Sequence, residues 1–221
     1  MDTVQTIALT MGVAWASGIN LYAAVFMLGY LGSTGNVDLP PELEVVTDPL
    51  VMFAAGLMYC VEFFADKTPG VDSAWDTVHT FIRIPAGAVL AMSAVGDTSP
   101  AVELAAFLLG GTLAAGTHAT KTGTRILINT SPEPVSNWTA SVTEDIAVIA
   151  GIWAALNYPW LFIILMVIFI VIMIWILPRL LQAIKRVFVY VRDIFSGKYK
   201  PDVISEKQDK IAAGQDLKHN D

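Results

Sequence analysis

The sequence contains a single cysteine, Cys60, so no intramolecular disulfide can form. Its place in an apolar run makes it read as a small buried hydrophobe. Charge is scarce as well: 15% of the 221 residues are charged, against about 25% in a soluble domain. With 55% hydrophobic residues and a mean hydropathy of +0.59, that places the chain in the membrane class. No phosphate-binding glycine loop, zinc-ligand spacing or nucleophile motif is present. The reading is therefore of a protein that is not an enzyme and takes no cofactor. The formal charge of −7 gives no footprint for nucleic acid. The N-terminus (MDTVQTIALTMGVAW) has no basic leader region and no small-residue cleavage site, so it reads as a first membrane span and not as a removable signal.

What is present is a series of apolar stretches. A helical span needs about 20 mostly apolar residues, and spans are expected at about 4–31, 49–66, 78–96, 101–128, 137–156 and 158–178. The stretch Trp160 to Leu177 holds no charge at all. The segment 33–48 (STGNVDLPPELEVVTD), rich in proline and acid, reads as a connector, and Thr68-Pro69 as a helix start. After Pro178, basic residues alternate with apolar ones at helical spacing. This predicts an amphipathic helix over 179–196 lying on anionic lipid, followed by a flexible polar tail over 197–221.

The bases orient the chain. Of the thirteen Lys and Arg residues, Lys67 and Arg83 flank one connection, Lys121 and Arg125 close the fourth span, and nine follow the sixth. Six spans put all three places on one face, and the positive-inside rule makes that face cytoplasmic. The expectation is a multi-pass inner-membrane protein with both termini in the cytoplasm. The sequons at Asn129 and Asn137 would then face the cytoplasm and carry no glycan.

The halves echo each other. Ala16-Ser17-Gly18-Ile19-Asn20 in the first span matches Ala114-Ala115-Gly116-Thr117-His118 in the fourth. Each half then reaches a helix with an embedded acid, Glu62 in one and Glu144-Asp145 in the other. The fold class is thus all-α membrane, with about six helices over 1–178. It is read as two inverted three-helix repeats, about 4–97 and 101–178.

Polar residues inside these spans follow the helical period. Glu62 and Asp66 are four apart, Asp72, Asp76, His79 and Arg83 form one stripe, and His118, Lys121, Arg125 and Asn129 form another. Asn137, Ser141 and Glu144, with Asp145 beside it, make a further stripe. Charges in a bilayer cost about 2.5–3.5 kcal/mol each on insertion scales and turn toward protein or water. Together with Asn20 and Lys67, these residues are the candidate solute or ion pathway. Glu62, Asp66 and Glu144 are candidate metal ligands. Gly18 and Gly116 are candidate helix breaks, with close helix packing as the alternative for both. His79 and His118 could carry protons or serve as structural hydrogen-bond partners.

The runs ASGINLY, EFFADKTPGVDSAWDTVHTFIR, GTHATKTGTRILINTSPEPVSNW and SVTEDI resemble a bacterial membrane family catalogued only as a domain of unknown function, of the DUF4126 type. The resemblance covers about residues 10–155 and implies a small multi-span membrane protein, with no activity attached. The run EFFADKT is also similar to the acidic signature of manganese and calcium cation/proton exchangers. It has one extra residue in the spacing and Ala65 where that signature has glycine.

Three functions compete at this level. The first is a transporter or channel for a small polar or cationic solute, proton-coupled through Glu62, Asp66 and Glu144, with an inward-facing polar vestibule. The second is a static salt-bridge network in a structural or accessory subunit of a larger membrane complex. The third is binding of anionic lipid or phosphate by Lys67, Arg83, Lys121 and Arg125. A homo-oligomer is compatible with a chain this small.

Overall fold

The computed structural model describes residues 1–68, 70–130 and 134–195. Among these residues the secondary structure is helical throughout. The order is α1 (Thr3–Ser33), a 3-10 helix (Pro41–Thr47), α2 (Pro49–Ala65), α3 (Val71–Ala94), α4 (Pro100–Ile128), α5 (Pro134–Asn157) and α6 (Pro159–Phe195). Five of these seven helices begin on proline, where the missing N–H would have had no partner. Polar caps add to this: at α2 the Asp48 side chain accepts from Leu50 N at 2.8 Å, and Asp2 and Gln5 form a capping box at α1.

Four helices are long and apolar enough to cross a membrane: α1, α4, α5 and α6. The 3-10 helix and α2, bent by 64°, make a fifth if counted as one broken span. The sequence reading expected about six. The shortfall has a plain cause: α2 alone is 17 residues long, and α3 carries Asp72, Asp76 and Arg83.

The chain divides into two units, residues 1–181 and 182–221. In the first, α1 is the hub, packed against α2, α3, α4 and α5. Its core side chains include Leu9, Val13 and Leu28, all fully buried. Trp15 meets Phe162 and Phe169 of α6 edge-on, with centroids 6.3 and 6.2 Å apart. The opposite face of α6 leaves Leu161, Ile164, Leu165, Ile168 and Val171 exposed, an apolar surface suited to lipid. In the second unit the described residues 182–195 are the end of α6, with Lys185, Arg186 and Phe188 exposed.

Several local expectations are corrected. No helix boundary falls at Pro178, which lies inside α6. One lost N–H does not outweigh the helix-forming residues on either side. The tail 197–221 lies outside the described residues. The 33–48 connector is partly structured and buries Leu43 and Val46. α3 starts after Gly70, whose φ of 85° suits glycine, so Thr68 is not its cap. Cys60 is exposed, because it lies on the outer face of α2.

Candidate functional site

The polar stripes of α2, α3, α4 and α5 converge on one buried cluster beside the middle of α1. Seven side chains are linked by eight ion pairs. Arg83 Nη2 lies 2.6 Å from Glu62 Oε1 and its Nη1 2.9 Å from Asp76 Oδ1. Lys121 Nζ lies 2.8 Å from Asp66 Oδ2 and 3.5, 3.6 and 3.7 Å from oxygens of Glu62, Asp76 and Glu144. Arg125 Nη2 lies 2.6 Å from Glu144 Oε2 and 3.7 Å from Asp66 Oδ2. Four carboxylates thus face three cations. Arg83, Asp76 and Glu62 have no exposed side-chain surface. Every cation here has an acid in contact, which low dielectric requires.

α1 is broken at the edge of this cluster. Asn20 has φ −147° and ψ 94°, outside the helical region. Its Oδ1 accepts from Ala23 N at 2.9 Å, which makes it the N-cap of the second half of α1. Its Nδ2 donates to Asp145 Oδ1 at 3.0 Å, so a carboxylate stands near the positive end of that half-helix. On the other side of the break, Lys121 Nζ donates to Ile19 O at 3.0 Å. The ammonium therefore stands at the negative end of the first half. Each half-helix is matched in sign by a buried charge from another element.

Gly18 does a different job from the one expected of it. A Cβ at this position would lie 2.5 Å from Ala114 O and 2.8 Å from Thr117 Cβ. Its role is close approach of α1 to α4 at the motif it was matched with, and the break itself falls at Asn20. Gly116 lies within α4, where an added Cβ would meet Met173 Sδ at 3.0 Å. Neither glycine has the non-helical backbone; the residue that has it carries a side chain able to cap.

The remaining candidates form a shell. His118 Nδ1 lies 3.3 Å from Arg83 Nη1. A guanidinium can only donate, so a hydrogen bond here would use Nδ1 as the acceptor. The Nε2 of His118 faces Thr80 Oγ1 at 2.8 Å and Asp76 O at 3.1 Å. His79 is tied elsewhere, its Nε2 3.1 Å from Tyr22 OH and its ring stacked on Trp75. Arg125 also donates to Asn137 O at 3.0 Å and to Asn137 Oδ1. Asn129 holds Asp72 at 2.8 and 2.9 Å, a pair apart from the seven-residue cluster. Lys67 donates to Phe63 O at 3.1 Å and Ser141 Oγ at 3.2 Å. Burial pushes its ammonium below the ordinary lysine range, with Asp145 and Asp66 pulling the other way.

Among the described residues no group of three His, Cys, Asp or Glu side chains is arranged to hold a metal ion. Glu62, Asp66 and Glu144 are therefore corrected as a metal set. The ammonium of Lys121 lies between them. Two surface grooves are apolar. One of about 580 Å³ is lined by residues such as Phe26, Phe53 and Cys60, the other by Trp15, Phe162 and neighbours. Neither has a charged lining residue.

Three signals went unread in the sequence. Ser17, between Ala16 and Gly18, donates to Arg83 O at 2.8 Å and ties α1 to α3. Thr80 lies one residue from His79 and reaches His118 instead. The Ile19 carbonyl leaves no trace in a sequence until the Asn20 break is known.

Residues 7–179 match the family described as Domain of unknown function (DUF4126). No curated protein and no solved structure matches the chain.

Proposed function

We propose that this chain, which belongs to the DUF4126 family, is a small membrane transporter or channel for a small polar or cationic solute, coupled to protons and not an enzyme. The observation that carries the reading is the broken α1 at the edge of the ion-pair cluster. Discontinuous helices with buried charges at the break are a recurrent way to build a solute site at membrane depth. The cluster also has one more carboxylate than it has cations. An uncompensated buried charge is costly, so the natural complement of that carboxylate is a proton or a cation. Exchange of one for the other is the coupling step. The closed arrangement, buried except at Glu144, whose side chain is 19% exposed, is read as the occluded member of the cycle, and the inward-facing vestibule as its open partner.

The membrane frame goes with this proposal. α2 and α3 complete six spans, their charges covered by α4 and α5. The two halves are inverted repeats in an inner membrane with both termini cytoplasmic, and the basic stretch after Pro178 meets anionic lipid. A homo-oligomer fits the same frame.

Glu62→Gln keeps the shape of the side chain and removes the charge that Arg83 and Lys121 share. In proteoliposomes under a pH gradient it should lower solute flux at least about tenfold, the cost of one interaction of about 1.4 kcal/mol in the rate-limiting arrangement. Flux equal to that of the unmodified chain takes Glu62 out of the mechanism.

The contact of each of the four acids with at least one cation favours a second reading, a static network locking helices in a structural or accessory subunit. Under it, Glu62→Gln changes stability or assembly and no flux exists to lose. An anionic lipid or phosphate ligand at Arg83, Lys121 and Arg125 finds less support, since each already binds carboxylates.

A further inference from the structure

Asp145 is an interior acid that the ion pairs leave out. It is 6% exposed and belongs to none of the eight pairs among the described residues. Its Oδ1 accepts from Asn20 Nδ2 at 3.0 Å. Its Oδ2 is buried and has no hydrogen-bond partner among the described residues. The neighbouring acids are better supplied. Glu62, Asp66, Asp76 and Glu144 each have a cation at 2.6 to 2.9 Å on one oxygen, even where the second oxygen is unpartnered. Asp72 has no cation, but it accepts from Gly70 N, Ser73 N and Asn129 Nδ2. Asp145 has a single neutral amide. Lys67 is its counterpart among the bases. That ammonium donates to Phe63 O and Ser141 Oγ and lies 2.9 Å from the Phe63 ring centroid, all neutral partners. Ser141 and Asp145 are four apart on α5 and share a face, so Lys67 rests one turn short of the carboxyl. The other ionisable groups near enough to act on Asp145 are Asp66 and Tyr59 of the α2 region and Lys121 of α4, with Glu144 adjacent in the chain. Taken with the cluster, Asp145 and Lys67 make five carboxyls against four cations, a set that one proton balances.

We infer that Asp145 is the proton-binding group of this site, holding a proton on Oδ2 in the closed arrangement and releasing it during exchange. A neutral carboxyl keeps the bond from Asn20 through its carbonyl oxygen and leaves no unpaired charge in the interior. On release, the O–H bond at Oδ2 breaks, its electron pair stays on the carboxylate and the proton passes to water. The ionised form also has a place. It stands near the positive end of the second half of α1, through Asn20, and within a turn of Lys67. A cationic solute arriving at the break would balance the charge that the proton leaves. This inference rests on the proton-coupled reading for its use in transport, and names the group that carries the proton.

The test is infrared difference spectroscopy on the full chain in lipid, read at the carbonyl stretch of protonated carboxyl groups. Near neutral pH exposed carboxyls are ionised, so a band there reports a buried protonated acid. The unmodified chain should show one, moved by aspartate labelled with carbon-13 at its side-chain carboxyl, and should lose it as the pH is raised. Asp145→Asn keeps the shape and the bond from Asn20 and should lack the band at every pH where exposed acids are ionised. Asp145→Glu should restore a band that the aspartate label does not move. Three results overturn the inference: a band that ignores the label, one that folded Asp145→Asn retains, or no band at all. A band that persists over the whole pH range in which the protein stays folded overturns the exchange. Failure of Asp145→Asn to fold also counts against the inference, because the amide stands in for the protonated form. Absence of flux in an unmodified chain that shows the band would overturn the transport reading and leave the proton on Asp145.

Discussion

Replacing Arg83 with methionine is expected to cost the folded protein about 3–5 kcal/mol, the usual penalty for removing one partner of a buried ion pair. Arg83 contacts Glu62 at 2.6 Å and Asp76 at 2.9 Å, with no exposed surface on any of the three side chains. Without the guanidinium, the cation left to Asp76 among the described residues is Lys121 at 3.6 Å, and to Glu62 Lys121 at 3.5 Å. His118 also loses its contact with the guanidinium at 3.3 Å. Thermal unfolding in detergent should show a large fall in Tm, or no folded protein at all. Adding Glu62→Gln should recover part of the loss, because the two residues act on one interaction and their effects cannot add. A Tm within about 1 °C of the parent would mean that these carboxylates are already neutral or hydrated.

The second large effect is expected at Asn20. Alanine there favours continuous helix and removes three things: the cap on Ala23 N, the hydrogen bond to Asp145, and the reason for Ile19 O to face Lys121. Loss of the cap costs about 0.5–2 kcal/mol. The orphaned Asp145 adds a penalty of about 1–3 kcal/mol. The functional loss should exceed what stability explains, with flux at roughly a tenth of the parent rate or below in protein shown to be folded. Normal flux at reduced stability would assign the break to packing alone.

Part of this arrangement is legible in the sequence. Glu62 and Asp66 sit one turn apart, and Asp76 and Arg83 two turns apart on α3. Helical period alone therefore says that each pair shares a face, and the cost of charge in a bilayer says that the faces must meet. The positions of the partners follow from that: Lys121 and Arg125 form the only remaining internal stripe with opposite charge. The break in α1 is different in kind. Glycine lacks a Cβ and looks like the weak point, so Gly18 drew attention. The structure uses that missing Cβ for contact with Ala114 and Thr117, while Asn20 replaces the lost helical bond with its own side chain. Which of two polar-compatible residues breaks a helix depends on what lies opposite, here Asp145 and Lys121, and local sequence does not encode that. Pro178 shows the converse: a proline inside an apolar run suggests a helix boundary, and α6 runs through it. Cys60 was misplaced for a simple reason: in a membrane helix an apolar neighbourhood says nothing about which face is buried and which meets lipid.

The account turns on whether the buried cluster exchanges its charges across the membrane. Rapid cation and pH jumps on supported membranes carrying the full chain address this directly, with charge displacement as the readout. The prediction is a current evoked by a small cationic solute, sensitive to pH and diminished in Glu62→Gln. No current above that of empty membranes, across small cations, polar solutes and pH with protein shown to be folded, would contradict it. The seven charged residues would then be a lock between helices.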